Sequence, residues 1–193
     1  ASTRRIASDL RARGVPMLDA PVTNISGGLS LMVGGSIRTF ERMKPLLETL
    51  GVHATWVGES GAGHVVKLCQ NLVTGVYTAV AAEAFVFARQ AGIDPERLEA
   101  ALLTTGAAPA ARQFPNFRER RFAGRGQMAL HSKDMWYMMQ TAREIGAAVP
   151  FATMLHELFQ LALHHGDADW TQAGLVTFFE RAARPATGAD GPG

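Results

Sequence analysis

A single cysteine, Cys69, occurs in 193 residues, so the chain cannot close an internal disulfide, and no Cys/His cluster has the spacing of a structural zinc site. Nothing therefore asks for an oxidising compartment, and a cytoplasmic location is expected. A strong charge of either sign is also missing. Nineteen Lys and Arg against seventeen Asp and Glu leave a formal +2, too little to make nucleic acid or an anionic membrane the default partner although the sequence pI is near 9.0. Uninterrupted apolar runs are short: the most apolar stretch, Leu72 to Ala88, is broken by Glu83, and the first residues carry Arg4, Arg5 and Asp9 instead of an apolar signal core. No membrane span and no secretion are expected. The chain opens on Ala1 and not on Met, which suggests processing or a piece of a longer protein.

What is present is an ordinary globular composition, 47% hydrophobic and 19% charged. Ser2 to Arg13 reads as a short helix with Ile6 and Leu10 on its apolar face and Gly14 as its stop. Pro16 to Ala20 and Leu29 to Val33 read as strands, and Ser36 as the cap of a helix reaching about Leu50 with Phe40, Met43, Leu46 and Leu47 on one face. Ala54 to Val57 reads as a third strand, so the first third is α/β. After Gly63 the pattern becomes helical throughout: a long, largely buried helix over Val65 to Ala88, then Asp94 to Thr104, Ser132 to Ile145, Pro150 to His164 and Thr171 to Ala183. Ala186 to Gly193, small, polar and glycine-rich, reads as a frayed tail.

On the long helix, His64, Lys67, Asn71, Thr74 and Thr78 fall at steps of three and four, a narrow polar stripe on an apolar rod. Its plain alternative is a solvated helix face. Lys67 and Asn71 lie one turn apart, so an ammonium and an amide can grip one small substrate. Partial burial lowers an amine's pKa from about 10.4 towards neutrality, which makes lysine, unlike arginine, a usable general acid or base.

Gly61-Ala62-Gly63 before this helix offers a G-x-G, but Val66 stands where the third glycine of a dinucleotide fingerprint would be, so phosphate binding there is weakly supported. Lys133-Asp134 reads as the start of a helix capped by Ser132, with a surface ion pair as the plain alternative. Arg112, Arg118, Arg120, Arg121 and Arg125 interleave with Phe114, Phe117 and Phe122, yet acidic residues elsewhere nearly cancel their charge. His156-Glu157 begins a zinc-protease helix motif, but Gln160 replaces its second histidine. Cys69 reads as a small core residue.

Asp19-Ala20-Pro21-Val22, Leu29 to Gly35, Gly61-x-Gly63 with Lys67 and Asn71, and Lys133-Asp134, in that order, resemble the β-hydroxyacid dehydrogenase family, which includes 3-hydroxyisobutyrate dehydrogenase and tartronate semialdehyde reductase, with imine reductases as more distant relatives. The resemblance implies a mainly α chain: the remnant of an NAD(P)-binding Rossmann domain over 1–58, an all-helical 6-phosphogluconate-dehydrogenase-like substrate and dimerisation domain over 59–185, and a tail over 186–193. It implies NAD or NADP as cofactor and hydride transfer between nicotinamide and a small hydroxy acid or aldehyde. Lys67 would be the catalytic acid/base, Asn71 would hold substrate, and Thr23, Asn24 and Ile25 would form the substrate loop. Lys133 would reach over the cofactor, and the helical domain would form a homo-oligomer.

Two departures stand out. The full G-x-G-x-x-G unit that precedes the matching segment in the family is missing, so most cofactor contacts are absent and the chain as given is expected to be inactive. The loop from Thr23 to Gly28 is shorter than the family's, with Asn24 and Ile25 in place of glycine, and Gln70 replaces the family's first asparagine. The alternative from another functional class is a non-catalytic helical dimerisation module.

Overall fold

The computed structural model describes residues 2–25, 28–50, 52–124, 126–165 and 169–183, so Ser26, Gly27, Arg125 and the expected tail lie outside the described residues. The chain divides into two compact units, Ala1–Gln70 and Asn71–Gly193. Its longest helix, Ala62–Gln90, crosses the division, which falls twelve residues after the expected domain limit at residue 58.

The first unit opens on α1 (Ser2–Ala12), followed by β1 (Val22–Ile25), β2 (Gly28–Gly34), α2 (Ile37–Thr49), β3 (Val52–Gly58) and the start of α3 (Ala62–Gln90). The sheet order is β1-β2-β3, with β1 antiparallel and β3 parallel to β2. Ala7, Met32, Val33 and Phe40 form its buried centre. Pro16 to Ala20 is not a strand: only Asp19 touches the sheet, through an isolated bridge to Gly34. The continuous strand begins after Pro21, whose carbonyl accepts from the Met32 N–H but which has no N–H to return, and β-branched Val22, Thr23 and Ile25 extend readily. The expected substrate loop is thus a hairpin arm, with Thr23 opposite Ser30, Asn24 opposite Leu29 and Ile25 opposite Gly28.

Ser36 precedes α2 as expected but makes no side-chain capping bond, and Leu46, 54% exposed, leaves the apolar face to Phe40, Met43 and Leu47.

The second unit is helical: the rest of α3, then α4 (Pro95–Leu103), α5 (Ala108–Ala111), α6 (Phe114–Arg118), α7 (Met128–Ile145), α8 (Pro150–His165), a 3-10 turn Gln172–Leu175 and α9 (Val176–Ala182). Asp94 caps α4, accepting from the Glu96 and Arg97 N–H groups, and Pro95 occupies the first turn, where its missing N–H costs nothing. One core cluster joins Phe85, Phe114, Phe117, Phe122 and Val176, with Phe85 edge-on to both Phe114 and Phe117. A second joins Met128, Met135, Leu155, Phe159 and Leu175. A Cβ on Gly75 would come within 2.5 Å of Leu155, so the missing side chain is what lets α8 pack onto α3. This is the mainly α architecture expected, with a small sheet confined to the first unit.

Three expectations are corrected. The helix containing Ser132 starts at Met128, so Ser132 sits in its second turn, 1% exposed, and is not a cap. Apolar Met128 and Leu130 carry the helical period upstream past the polar residues that suggested a start. The long helix is only partly buried: Val73, Tyr77, Val80 and Phe87 are exposed, Phe87 at 74%. Cys69 is exposed as well, because an apolar circumference in the sequence does not require neighbours all round. By length and composition α3 could cross a membrane, and half of its most apolar window is buried inside the molecule.

Candidate functional site

In the first unit the start of α3 is held by a carboxylate from far back in sequence. Asp19 is 3% exposed; its Oδ1 accepts from the Gly61 N–H at 2.6 Å and its Oδ2 from the His64 N–H at 3.2 Å. His64 Nδ1 lies 3.3 Å from the same Oδ2, which as a carboxylate oxygen can only accept. The Asp19 backbone is fixed too, exchanging hydrogen bonds with Gly34 in both directions. This crossing is tight: a Cβ on Gly63 would lie 2.3 Å from the Met32 carbonyl oxygen and 2.8 Å from that of Asp19. The glycines of Gly61-Ala62-Gly63 thus serve a close approach of backbones, and of the N–H groups at this helix start those of Gly61 and His64 are taken by Asp19 and that of Ala62 by the Glu59 carbonyl. The G-x-G loop is not a phosphate cradle.

One turn further along α3, Lys67 is half-buried and its Nζ donates to Gln70 Oε1 at 2.8 Å. The three-residue spacing brings those side chains onto one face. Gln70, where the family pattern has asparagine, therefore reaches the lysine. Thr23 and Asn24 lie on β1 at the sheet edge, Thr23 half-buried and Asn24 exposed.

In the second unit Asn71 is 3% exposed, and its Nδ2 donates to Asp134 Oδ2 at 2.6 Å. A carboxylate only accepts, so this bond fixes which edge of the amide faces Asp134. The other edge, Asn71 Oδ1, is buried without a hydrogen-bond partner. Lys133 is exposed, its Nζ lying 3.3 Å from Asp134 Oδ1 and 5.7 Å from the centre of the Tyr137 ring. Asp134 is thereby the hinge of the Lys133-Asp134 pair: one oxygen takes the lysine and the other takes Asn71. The polar stripe does not behave as one solvated face, since Asn71 and Thr78 are buried while Thr74 is exposed, and the Thr78 hydroxyl is spent on the Thr74 carbonyl oxygen at 3.0 Å.

The other polar motifs find structural uses. Ser132 Oγ lies 3.0 Å from His156 Nδ1 and accepts from Gln160 Nε2 at 2.8 Å, so His156 and Gln160 clasp α7 to α8. No group of three or more potential metal ligands occurs among the described residues. In the arginine-rich stretch the three phenylalanines are core, and Arg118 pairs with Glu99, Arg120 with Glu180 and Arg121 with Glu119. The hydrogen bond that Arg118 donates to Glu99 raises the guanidinium above its ordinary pKa.

Sequence reasoning singled out Lys67, Asn71 and Lys133 but missed the residues that hold two of them. Asp134 was read only as the lysine's ion-pair partner, and nothing local connects it to a residue 63 positions earlier. Asp19 was noticed as motif, not as ligand of the helix start; its signal was an acid two residues before a proline, ahead of a strand that ends in glycines.

Comparison with known proteins bears on the family. The family model for the NAD-binding domain of NADP-dependent 3-hydroxyisobutyrate dehydrogenase matches residues 61–179, and that for the NAD-binding domain of 6-phosphogluconate dehydrogenase matches residues 1–58. The chain is 33% identical to 2-hydroxy-3-oxopropionate reductase of Escherichia coli K12 over 94% of its own length and 64% of that protein's. It is 31% identical to 3-hydroxyisobutyrate dehydrogenase of Pseudomonas aeruginosa over 90% of its length and 62% of that protein's. The crystal structure of 3-hydroxyisobutyrate dehydrogenase from Salmonella typhimurium superposes with a TM-score of 0.78 at 25% identity, covering 91% of this chain and 65% of that one. The chain thus spans just under two thirds of the length of these relatives. With one family model covering more than half of it and the motif order kept, the chain belongs to the β-hydroxyacid dehydrogenase family.

Proposed function

We propose that this chain supplies the reacting end of an NAD(P)-dependent oxidoreductase of the 3-hydroxyisobutyrate dehydrogenase type, acting on a small β-hydroxy acid or the corresponding aldehyde. The observation that carries the reading is Asn71 Oδ1, a buried acceptor left open while Asp134 holds the opposite edge of the amide. An unmet buried acceptor costs roughly 1–3 kcal/mol, so its retention fits a site that a ligand's donor completes. A substrate hydroxyl or a carboxamide N–H meets that need. The described residues therefore fit the substrate and nicotinamide end of the cofactor, whereas the capped start of α3 does not fit its pyrophosphate.

In oxidation, Lys67 as neutral amine accepts the hydroxyl proton, while Asn71 Oδ1 accepts from a different donor, a second substrate hydroxyl or the nicotinamide carboxamide N–H. Bound NAD(P) supplies the hydride acceptor. In reduction Lys67 returns the proton to the new hydroxyl oxygen. Following the family resemblance, Lys133 serves the cofactor and Thr23, Asn24 and Ile25 serve the substrate, with residues larger than glycine at 24 and 25 narrowing the choice of acid. The test uses the protein expressed from its complete reading frame: Lys67→Ala should lower turnover about a hundredfold or more with circular dichroism unchanged. Wild-type turnover in that variant would remove the assignment.

A second reading concerns assembly and is compatible with the first. Val73, Tyr77, Val80 and Phe87 recur at helical spacing along α3 and are all exposed, which favours burial against a second copy of the chain. Light scattering should report a discrete oligomer that Phe87→Glu dissociates; a monomer at all concentrations would remove this part.

A further inference from the structure

We propose that Asp19 is the positioning residue of the Lys67 helix: by binding the Gly61 and His64 amides it fixes where α3 begins and hence where the lysine is presented. The inference rests on the function proposed above and adds a residue that the chemistry itself does not use.

A carboxylate 3% exposed is costly to bury unless hydrogen bonds replace its water, and Asp19 is met by two backbone donors and an imidazole. Both of its oxygens are engaged by one turn of one helix. Its own main chain is bonded to Gly34, so the carboxylate cannot shift to follow a helix that slides. Gly63 removes the remaining slack, since its Cα faces the Met32 and Asp19 carbonyl oxygens at a distance no side chain could occupy. Lys67 lies one turn beyond His64 on the same rod. Movement of the helix start therefore moves the amine.

An amide cannot reproduce this hold. Asn at position 19 offers one acceptor, and its NH₂ would point at the N–H of either Gly61 or His64, donor against donor.

The experiment compares Asp19→Asn, Asp19→Ala and Lys67→Ala in the protein expressed from its complete reading frame. The rate is read with the hydroxy acid that the wild type oxidises best, and hydrogen exchange is followed at the Gly61 and His64 amides. Asp19→Asn should lower kcat roughly tenfold to a hundredfold, the scale expected for an ångström of misplacement, while KM for the hydroxy acid changes little. Exchange at Gly61 and His64 should quicken while α8 keeps its protection, which separates local release from unfolding. Unchanged kcat in Asp19→Asn, or protected Gly61 and His64 amides in Asp19→Ala, overturns the proposal. If Asp19→Ala does not fold, the Asn variant alone carries both readings. If Lys67→Ala keeps full turnover, the proposed function has failed by itself, and a positioning role for that lysine falls with it whatever the exchange shows.

Discussion

The first unit buries a charge and satisfies it, with three donors converging on Asp19, while the second buries a neutral amide and leaves one edge of it open at Asn71. The two also differ in how they close. In the first, glycine lets backbones touch, as Gly63 does against Met32; in the second, aromatic and aliphatic side chains fill two clusters around Phe117 and Phe159. The difference teaches that a motif is read by its surroundings: the glycine-rich loop suggests a ligand and is filled by the chain's own carboxylate, whereas the plainer asparagine keeps an acceptor open.

Truncating the core of the second unit should break this comparison most heavily. Phe159 is fully buried among Met135, Ala152 and Leu155, and Phe159→Ala removes a ring whose cavity cannot fully collapse, a loss of about 3–5 kcal/mol. Urea unfolding should show it, with exchange quickened in α7 and α8. A loss under about 1 kcal/mol would mean that this cluster is not the core it resembles.

Gly63→Ala attacks the first unit in its own terms. Alanine would ordinarily favour a helix by up to about 1 kcal/mol. Here its Cβ must sit 2.3 Å from a backbone oxygen that has no rotamer to change, so the clash should win, with a net loss of about 2–3 kcal/mol. Stability equal to wild type would show that β2 and α3 approach less closely than described. Because Gly63 follows Gly61 in the crossing, exchange should quicken at the start of α3 and leave α8 unaffected.

How much of this was legible follows from where each signal lies. Helices α4 and α8 announce themselves through Asp94-Pro95 and Pro150, because caps and prolines act locally. The edge strand β1 was misplaced by a few residues because apolarity marked Met17 and Leu18, while hydrogen bonding chose the residues beyond Pro21. Helices α5 and α6 were missed, being four and five residues long and too short to show a period. Of the site, the residue types and their spacing on α3 were readable, since Lys67 and Asn71 share one helix. Their partners were not: Asp134 reaches Asn71, and Asp19 reaches Gly61 and His64, across 63 and at least 42 positions, and only the folded chain brings such residues together.

A smaller effect sharpens the contrast between polar groups that act locally and those that join elements. Ser132→Ala deletes a hydroxyl that bonds Gln160 and lies beside His156, but His156 Nδ1 also lies 3.0 Å from the Ser132 carbonyl oxygen, and Gln160 is exposed to water. The loss should be about 1 kcal/mol in chemical denaturation. A loss several times larger would mean that the clasp, and not the Phe159 cluster, holds α7 to α8.

The smallest effect lies in the arginine-rich stretch and compares two ion pairs a few residues apart. Arg121 and Glu119 are 58% and 48% exposed and two positions apart in one turn, so their attraction is screened by water and joins nothing distant. Arg118 and Glu99 are 26% and 16% exposed and tie α6 to α4. Double-mutant cycles should give a coupling of about 0.3 kcal/mol or less for the first pair and nearer 1 kcal/mol for the second. Raising salt should erase the first and only reduce the second, because partial burial limits screening. Equal couplings would show that spanning two helices adds nothing to a surface pair in this unit, and that its stability rests on Phe114, Phe117 and their neighbours alone.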